Sequence, residues 1–201
     1  MLFLANSRKA GILNKFNSGE PLLMAKPEVP VKAKLFTGIL YSDENACERA
    51  EIILKKKYGT VDIQTDHITF DHTTYYDSMG PDLKKRILSF TKLINREDIV
   101  KIKLHTNKIE SRISGKGSRI INIDPGYLTL SNVFLASCKE FYHRIYLGKG
   151  IYLENEYRYA SKQFHFWEWT YPDYKKKEYL DFFYAVRKRY HDQIKNELLK
   201  K

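Results

Sequence analysis

The side chains of this chain best suited to chemistry are the carboxylates Asp71, Asp124 and Asp173, the cations Lys85 and Arg144, the imidazole His143, and the hydroxyls of Tyr76, Tyr127 and Tyr171. A carboxylate can take a proton, an arginine or lysine can hold an anion, and a tyrosine can donate a hydrogen bond. A pocket with Asp124 or Asp71 as base, Arg144 or Lys85 as anion clamp, and Tyr76 or Tyr127 as hydroxyl donor would suit proton transfer or phosphate-ester chemistry. His143 adds a third titratable candidate. It is adjacent to Arg144 on a strand-like run, so only one of the two can face a given pocket. The competing assignment of the same residues is a set of structural ion pairs and tyrosine–carboxylate hydrogen bonds.

Other chemistries find less. Asp66-His67 and Asp71-His72 are ligand types for zinc, manganese or iron, but His67 and His72 are five apart and face opposite sides of a straight strand. No metal site is expected, and the residues identify no cofactor. Ser114-Gly115-Lys116-Gly117-Ser118 lacks the first glycine of G-x-x-x-x-G-K-S/T and precedes a strand, whereas a phosphate-binding loop opens a helix. Cys138 reads as core on a helical apolar pattern.

The elements that must position these residues can be read from pattern. Lys34–Leu40 is a buried strand. Ser42 suits an N-cap for the helix after it, and Gly59 suits its end. Val61–Phe70 is a strand with a bend, which makes an opening β-α-β unit, most simply with parallel strands. Pro81 to about Ile94 has Leu83, Ile87, Phe90 and Leu93 at helical spacing. Glu97–Ile113 is ambiguous, with helix favoured in its second half. Arg119–Ile123 is a strand, and Asp124-Pro125-Gly126-Tyr127 has the composition of a type II turn, which would put Asp124 at the strand's carboxyl end beside Asp71 at another. A helix is expected around Ser131–Phe141. An antiparallel meander follows through His143–Leu147, Ile151–Tyr159 and Gln163–Trp169. Lys175–Leu199 is a long amphipathic helix with Tyr179, Phe183, Val186, Tyr190 and Ile194 on one face. The fold class is α+β: a single domain over 31–201 with a mixed sheet.

Three motifs in order carry a resemblance: Asp124-Pro125-Gly126-Tyr127-Leu128-Thr129-Leu130, His143-Arg144-Ile145-Tyr146-Leu147-Gly148, and Trp169-Thr170-Tyr171-Pro172-Asp173-Tyr174. With Lys34–Leu40, Phe70-Asp71 and Thr106-Asn107, they make the chain similar to the bacterial and archaeal family called domain of unknown function 4416, from about Val31 to Tyr190. The resemblance implies no reaction, ligand or catalytic residue. A loose GTP-binding label attached to some members has no counterpart in the motifs above.

Composition narrows the field. With 201 residues, 43% hydrophobic and 14% aromatic, the chain can bury one real core. No apolar run approaches the roughly 20 residues of a membrane span. Two cysteines make no disulfide framework, so the cytoplasm is the expected compartment. Residues 1–30 read as an extension. Met24-Ala25-Lys26 has the form of a natural start, so residues 1–23 are expected to be flexible or absent from the native protein. The net charge of +11 is uneven: the last 27 residues hold nine bases and four acids, and residues 84–119 hold eleven bases and three acids. This blockiness fits a small polar or phosphorylated ligand at the strand ends. The alternative is an RNA- or protein-binding module using the 84–119 segment and the last helix. Oligomeric state is not legible.

Overall fold

The computed structural model describes residues 26–70, 74–115 and 117–198. The chain divides into two units, Met1–Pro30 and Val31–Lys201. Of the first, residues 26–30 are exposed and without regular structure; the expectations for residues 1–23 lie outside the described residues.

The second unit is α+β. Its strands are β1 (Ala33–Tyr41), β2 (Val61–Gln64), β3 (Ile68–Thr69), β4 (Lys84–Ile94), β5 (Ile121–Leu128), β6 (Asn132–Ser137), β7 (Ile145–Gly148), β8 (Ile151–Ala160) and β9 (Gln163–Phe166). The helices are α1 (Glu44–Tyr58), α2 (Ile99–Ser114) and α3 (Lys177–Leu198), none long and apolar enough to cross a membrane. One sheet runs β2-β4-β1-β5-β6-β8-β7, with β3 beside β4 and β9 beside β8. The pairings are antiparallel. The opening unit β1-α1-β2 is therefore present, but β4 lies between its two strands. With α2 leading from β4 to β5, the first half has the order of a split β-α-β unit. The expected parallel neighbours are corrected accordingly.

Each face of the sheet has its own core. Leu35, Ile39, Ile121 and Ile123 pack with Ala50 and Leu54 of α1 and Ile102 and Ile109 of α2. Phe36, Ile87, Leu128 and Tyr157 pack with Tyr179, Phe183, Val186 and Tyr190 of α3, as the helical spacing of that stripe anticipates. Asp43, not Ser42, caps α1, accepting a hydrogen bond from the Asn45 N–H at 3.1 Å.

Three elements differ from their sequence expectation. Residues 84–94 form a central strand, paired on one side with β1 and on the other with β2 and β3. A strand covered on both faces carries a dense apolar run, and Ile87, Phe90 and Leu93 within it, with Leu83 just before it, satisfy a helical count by coincidence. Residues 132–137 are likewise the strand β6, and Cys138 just beyond it is exposed instead of core.

Asp124-Pro125-Gly126-Tyr127 is no turn; all four lie in β5, paired with β1 at Gly38, Thr37, Phe36 and Leu35. Gly126 is needed for close approach. A Cβ there would lie 2.2 Å from the Phe134 carbonyl oxygen and 2.4 Å from Phe36 Cζ. Pairing of β5 with β6 runs only from Gly126↔Leu135 to Leu128↔Val133. Pro125, which has no N–H to give, stands where that ladder stops. Beyond it the two strands separate, β5 staying with β1 and β6 with β8.

Candidate functional site

Where β5 and β6 part, the sheet opens into a cavity of about 630 Å³. Alternation along β5 sends Ile121 and Ile123 toward α1 and α2, and Asn122 and Asp124 to the other side, into the opening. Lys103, Asn107 and Glu110 of α2 stand at spacings of four and three, one helical stripe, and all three line the cavity. The stripe reaches the β5 carboxylate through the gap. Lys103 Nζ donates to Asp124 Oδ1 at 2.9 Å and to the Ile123 carbonyl at 3.0 Å. Glu110 Oε1 accepts the Ile123 N–H at 2.8 Å, and its Oε2 meets Arg119 Nη2 at 2.8 Å. Arg119 also donates to the Asn122 side-chain oxygen, while the Asn122 amide donates to Asp124 Oδ2.

A second charged pair comes from β4. Lys85 Nζ donates to Asp173 Oδ2 at 2.7 Å, and Tyr179 OH donates to the same oxygen at 3.0 Å. The ammonium lies 5.0 Å from the Tyr174 ring centre and 5.3 Å from that of Tyr179. Lys85 comes close because Gly38 of β1 has no side chain: a Cβ there would stand 3.2 Å from Lys85 Cε. Gly38 pairs directly with Asp124, so the glycine opens the lane joining the two lysine–aspartate pairs.

Glu154 of β8 supplies a third wall. Its Oε2 accepts from Arg144 Nε at 2.9 Å and meets His143 Nε2 at 2.8 Å. Arg144 also donates to Tyr171 OH at 2.8 Å and Ser137 Oγ at 3.1 Å, and His143 stacks on Trp169 at 4.7 Å. Behind this wall lies Glu156, fully buried, neither oxygen having a formed hydrogen bond.

The electrostatics follow from burial set against pairing. Burial alone would raise the Asp124 carboxyl, but the Lys103 ammonium overrides it and holds it below the ordinary aspartate value. Burial opposes the Lys103 charge, yet Asp124 and Glu110 lift its pKa above the ordinary lysine value. Burial raises Glu110, with Lys103 pulling the other way. Two carboxyls on one lysine are thus pushed in opposite directions, an arrangement able to hold one ionised while the other takes up a proton. Burial, then the nearby Glu154, push Glu156 well above the ordinary glutamate value.

Of the residues singled out in the sequence, Asp124, Lys85, Tyr76, Tyr171 and Asp173 all line this cavity. Arg144 and His143 stand one step back, acting through Glu154, and both reach that one carboxylate. Tyr127 does not join them; it is buried in the core under α1 and α2 against Phe134. Asp124 sits within its strand, not at a turn after it. Asp71 lies outside the described residues. Sequence reasoning missed Lys103, Asn107, Glu110 and Glu154. The four–three spacing of the first three on a helix was the available signal.

The model of a family described as domain of unknown function (DUF4416) matches residues 31–190. No curated protein and no solved structure matches the chain.

Proposed function

We propose that this chain, which belongs to the DUF4416 family, binds and turns over a small polar ligand, phosphorylated or not, in the cavity between β5 and β6. The observation that carries the reading is the Lys103–Asp124 pair. It is formed across a break in the sheet by residues of two elements, and its carboxylate keeps a quarter of its surface open. Clefts with a few convergent polar groups and perturbed carboxyls are where small ligands bind. Asp124, held ionised, serves as the base; Lys103 and Lys85 stand ready for a phosphate where the ligand carries one; Tyr76 and Tyr171 supply hydroxyls.

The RNA- or partner-binding alternative draws on the basic 84–119 segment, but among its described residues six bases are already in ion pairs, Lys84, Arg86 and Lys101 among them. That leaves fewer cations for a phosphate backbone than the sequence suggests. We place the protein in the cytoplasm, in keeping with the free cysteines Cys47 and Cys138.

Native mass spectrometry of the purified protein tests the reading. The expected result is a bound small molecule lost on denaturation and absent from Lys103→Met. No bound mass, together with tight RNA binding that weakens steeply with salt, would favour the alternative.

A further inference from the structure

The walls of the cavity also say what kind of polar ligand suits it, an inference that rests on the binding reading above. Among the described residues, the cations Lys85, Lys103, Arg119 and Lys139 line it, and so do the carboxylates Glu110, Asp124, Glu154 and Asp173. Three of those cations are already joined to lining carboxylates, Lys85 to Asp173 at 2.7 Å, Arg119 to Glu110 at 2.8 Å and Lys103 to Asp124 at 2.9 Å. The fourth carboxylate, Glu154, is held by Arg144 at 2.9 Å. A multiply anionic ligand would have to break such pairs and then face the released carboxylates, which is unfavourable twice over.

A hydroxyl group has no such difficulty. It donates to a carboxylate and accepts from the neighbouring ammonium or amide at once, so a row of paired charges offers matched sites for several hydroxyls. Asn107 adds a donor that is poorly engaged. Its Nδ2 contacts the Cys138 sulfur at 3.2 Å, and a thiol is a weak acceptor that a ligand hydroxyl would displace at a gain. Among the described residues, aromatic rings with surface to offer, those of Phe70, Tyr76 and Tyr171, line the same space, with Phe70 and Tyr76 5.8 Å apart. Aromatic rings suit the C–H side of a saturated ring. We infer that the ligand is a polyhydroxylated molecule, a sugar or cyclic polyol bearing at most one phosphate, read by its hydroxyls through Asp124, Asn107 and Asn122.

Isothermal titration calorimetry on the full chain tests this with glucose, ribose and myo-inositol against orthophosphate and pyrophosphate, each at low and high salt. The inference expects at least one of the three polyols to bind more tightly than either inorganic anion, with affinity nearly independent of salt. Asn107→Ala, whose amide holds only the thiol contact, should weaken that binding about three- to tenfold without moving the melting temperature. Asp124→Asn should weaken it further. Pyrophosphate binding tighter than every polyol, with a steep salt dependence, would overturn the inference and leave the small-ligand reading standing. Binding by neither class would count against both, and polyol binding unchanged in Asn107→Ala and Asp124→Asn would move the ligand out of this cavity.

Discussion

Two of the buried lysine–aspartate pairs of this sheet, Lys34–Asp62 and Lys103–Asp124, differ in what encloses them. Lys34 and Asp62 are 0% and 2% exposed. Asp62 also accepts from Ser89 Oγ at 2.6 Å, and Lys34 donates to Gln193 of α3 at 2.8 Å. Burial holds the Lys34 pKa below the ordinary lysine value, with Asp62 opposing it. Arg189 of α3 covers the pair from outside, its Nε 3.8 Å from Asp62 Oδ2. Lys103 and Asp124 are 5% and 25% exposed, and the aspartate looks into a cavity. The same two residue types serve structure where α3 seals them and are open to chemistry where the strands part. Environment, more than residue type, separates the two roles.

The largest effect should come from the sealed pair. Asp62→Asn leaves the Lys34 ammonium buried without a counter-charge, and should cost about 3–5 kcal/mol. In a chain of this size that is a melting temperature lower by roughly 6–20 °C, with ligand binding intact below it. Gly126→Val comes next, at about 3 kcal/mol by urea unfolding, since the new side chain must push on the Phe134 carbonyl at the last point where β5 and β6 touch. A neutral result would mean that the separation of the strands is not fixed there. Asp124→Asn should cost only about 1–2 kcal/mol, because Lys103 keeps the Ile123 carbonyl and the nearby Glu110.

Glu156 extends the comparison to a buried carboxyl on which burial and the neighbouring Glu154 outweigh the pull of Lys85. Its folded-state pKa lies above its unfolded one, so its stabilising contribution is whole below the ordinary glutamate value and fades as pH rises toward its own elevated value. The slope can reach about 1.4 kcal/mol per pH unit. Glu156→Gln should therefore flatten stability from pH ~5 upward and raise it at neutral pH by about 1 kcal/mol. Unchanged pH dependence in denaturant titrations would show that Glu156 is ionised and paired.

Much of this was legible in the sequence where a single periodicity dominated. The α3 stripe of Tyr179, Phe183, Val186 and Tyr190 points one way and is buried. The signal failed where burial is two-sided, because Ile87, Leu88 and Phe90 in β4 meet core on both faces and leave no alternation to read. Asp124-Pro125-Gly126 misled for a different reason. Proline and glycine are turn residues by their φ preferences, but here the proline marks the end of a ladder and the glycine admits a neighbouring carbonyl. Neither use leaves a local trace. Asp124 was found from its type, whereas its partner Lys103 is 21 residues earlier and meets it only because the sheet is split.

The central claim is that the open pair, and not the sealed one, holds the ligand. Thermal melts of wild type, Asp62→Asn and Asp124→Asn against one library of small polar metabolites test it most directly. The account predicts that ligand-induced shifts seen in wild type persist in the unstable Asp62→Asn and vanish in Asp124→Asn, which melts within about 2–8 °C of wild type. Shifts that survive in Asp124→Asn would contradict it.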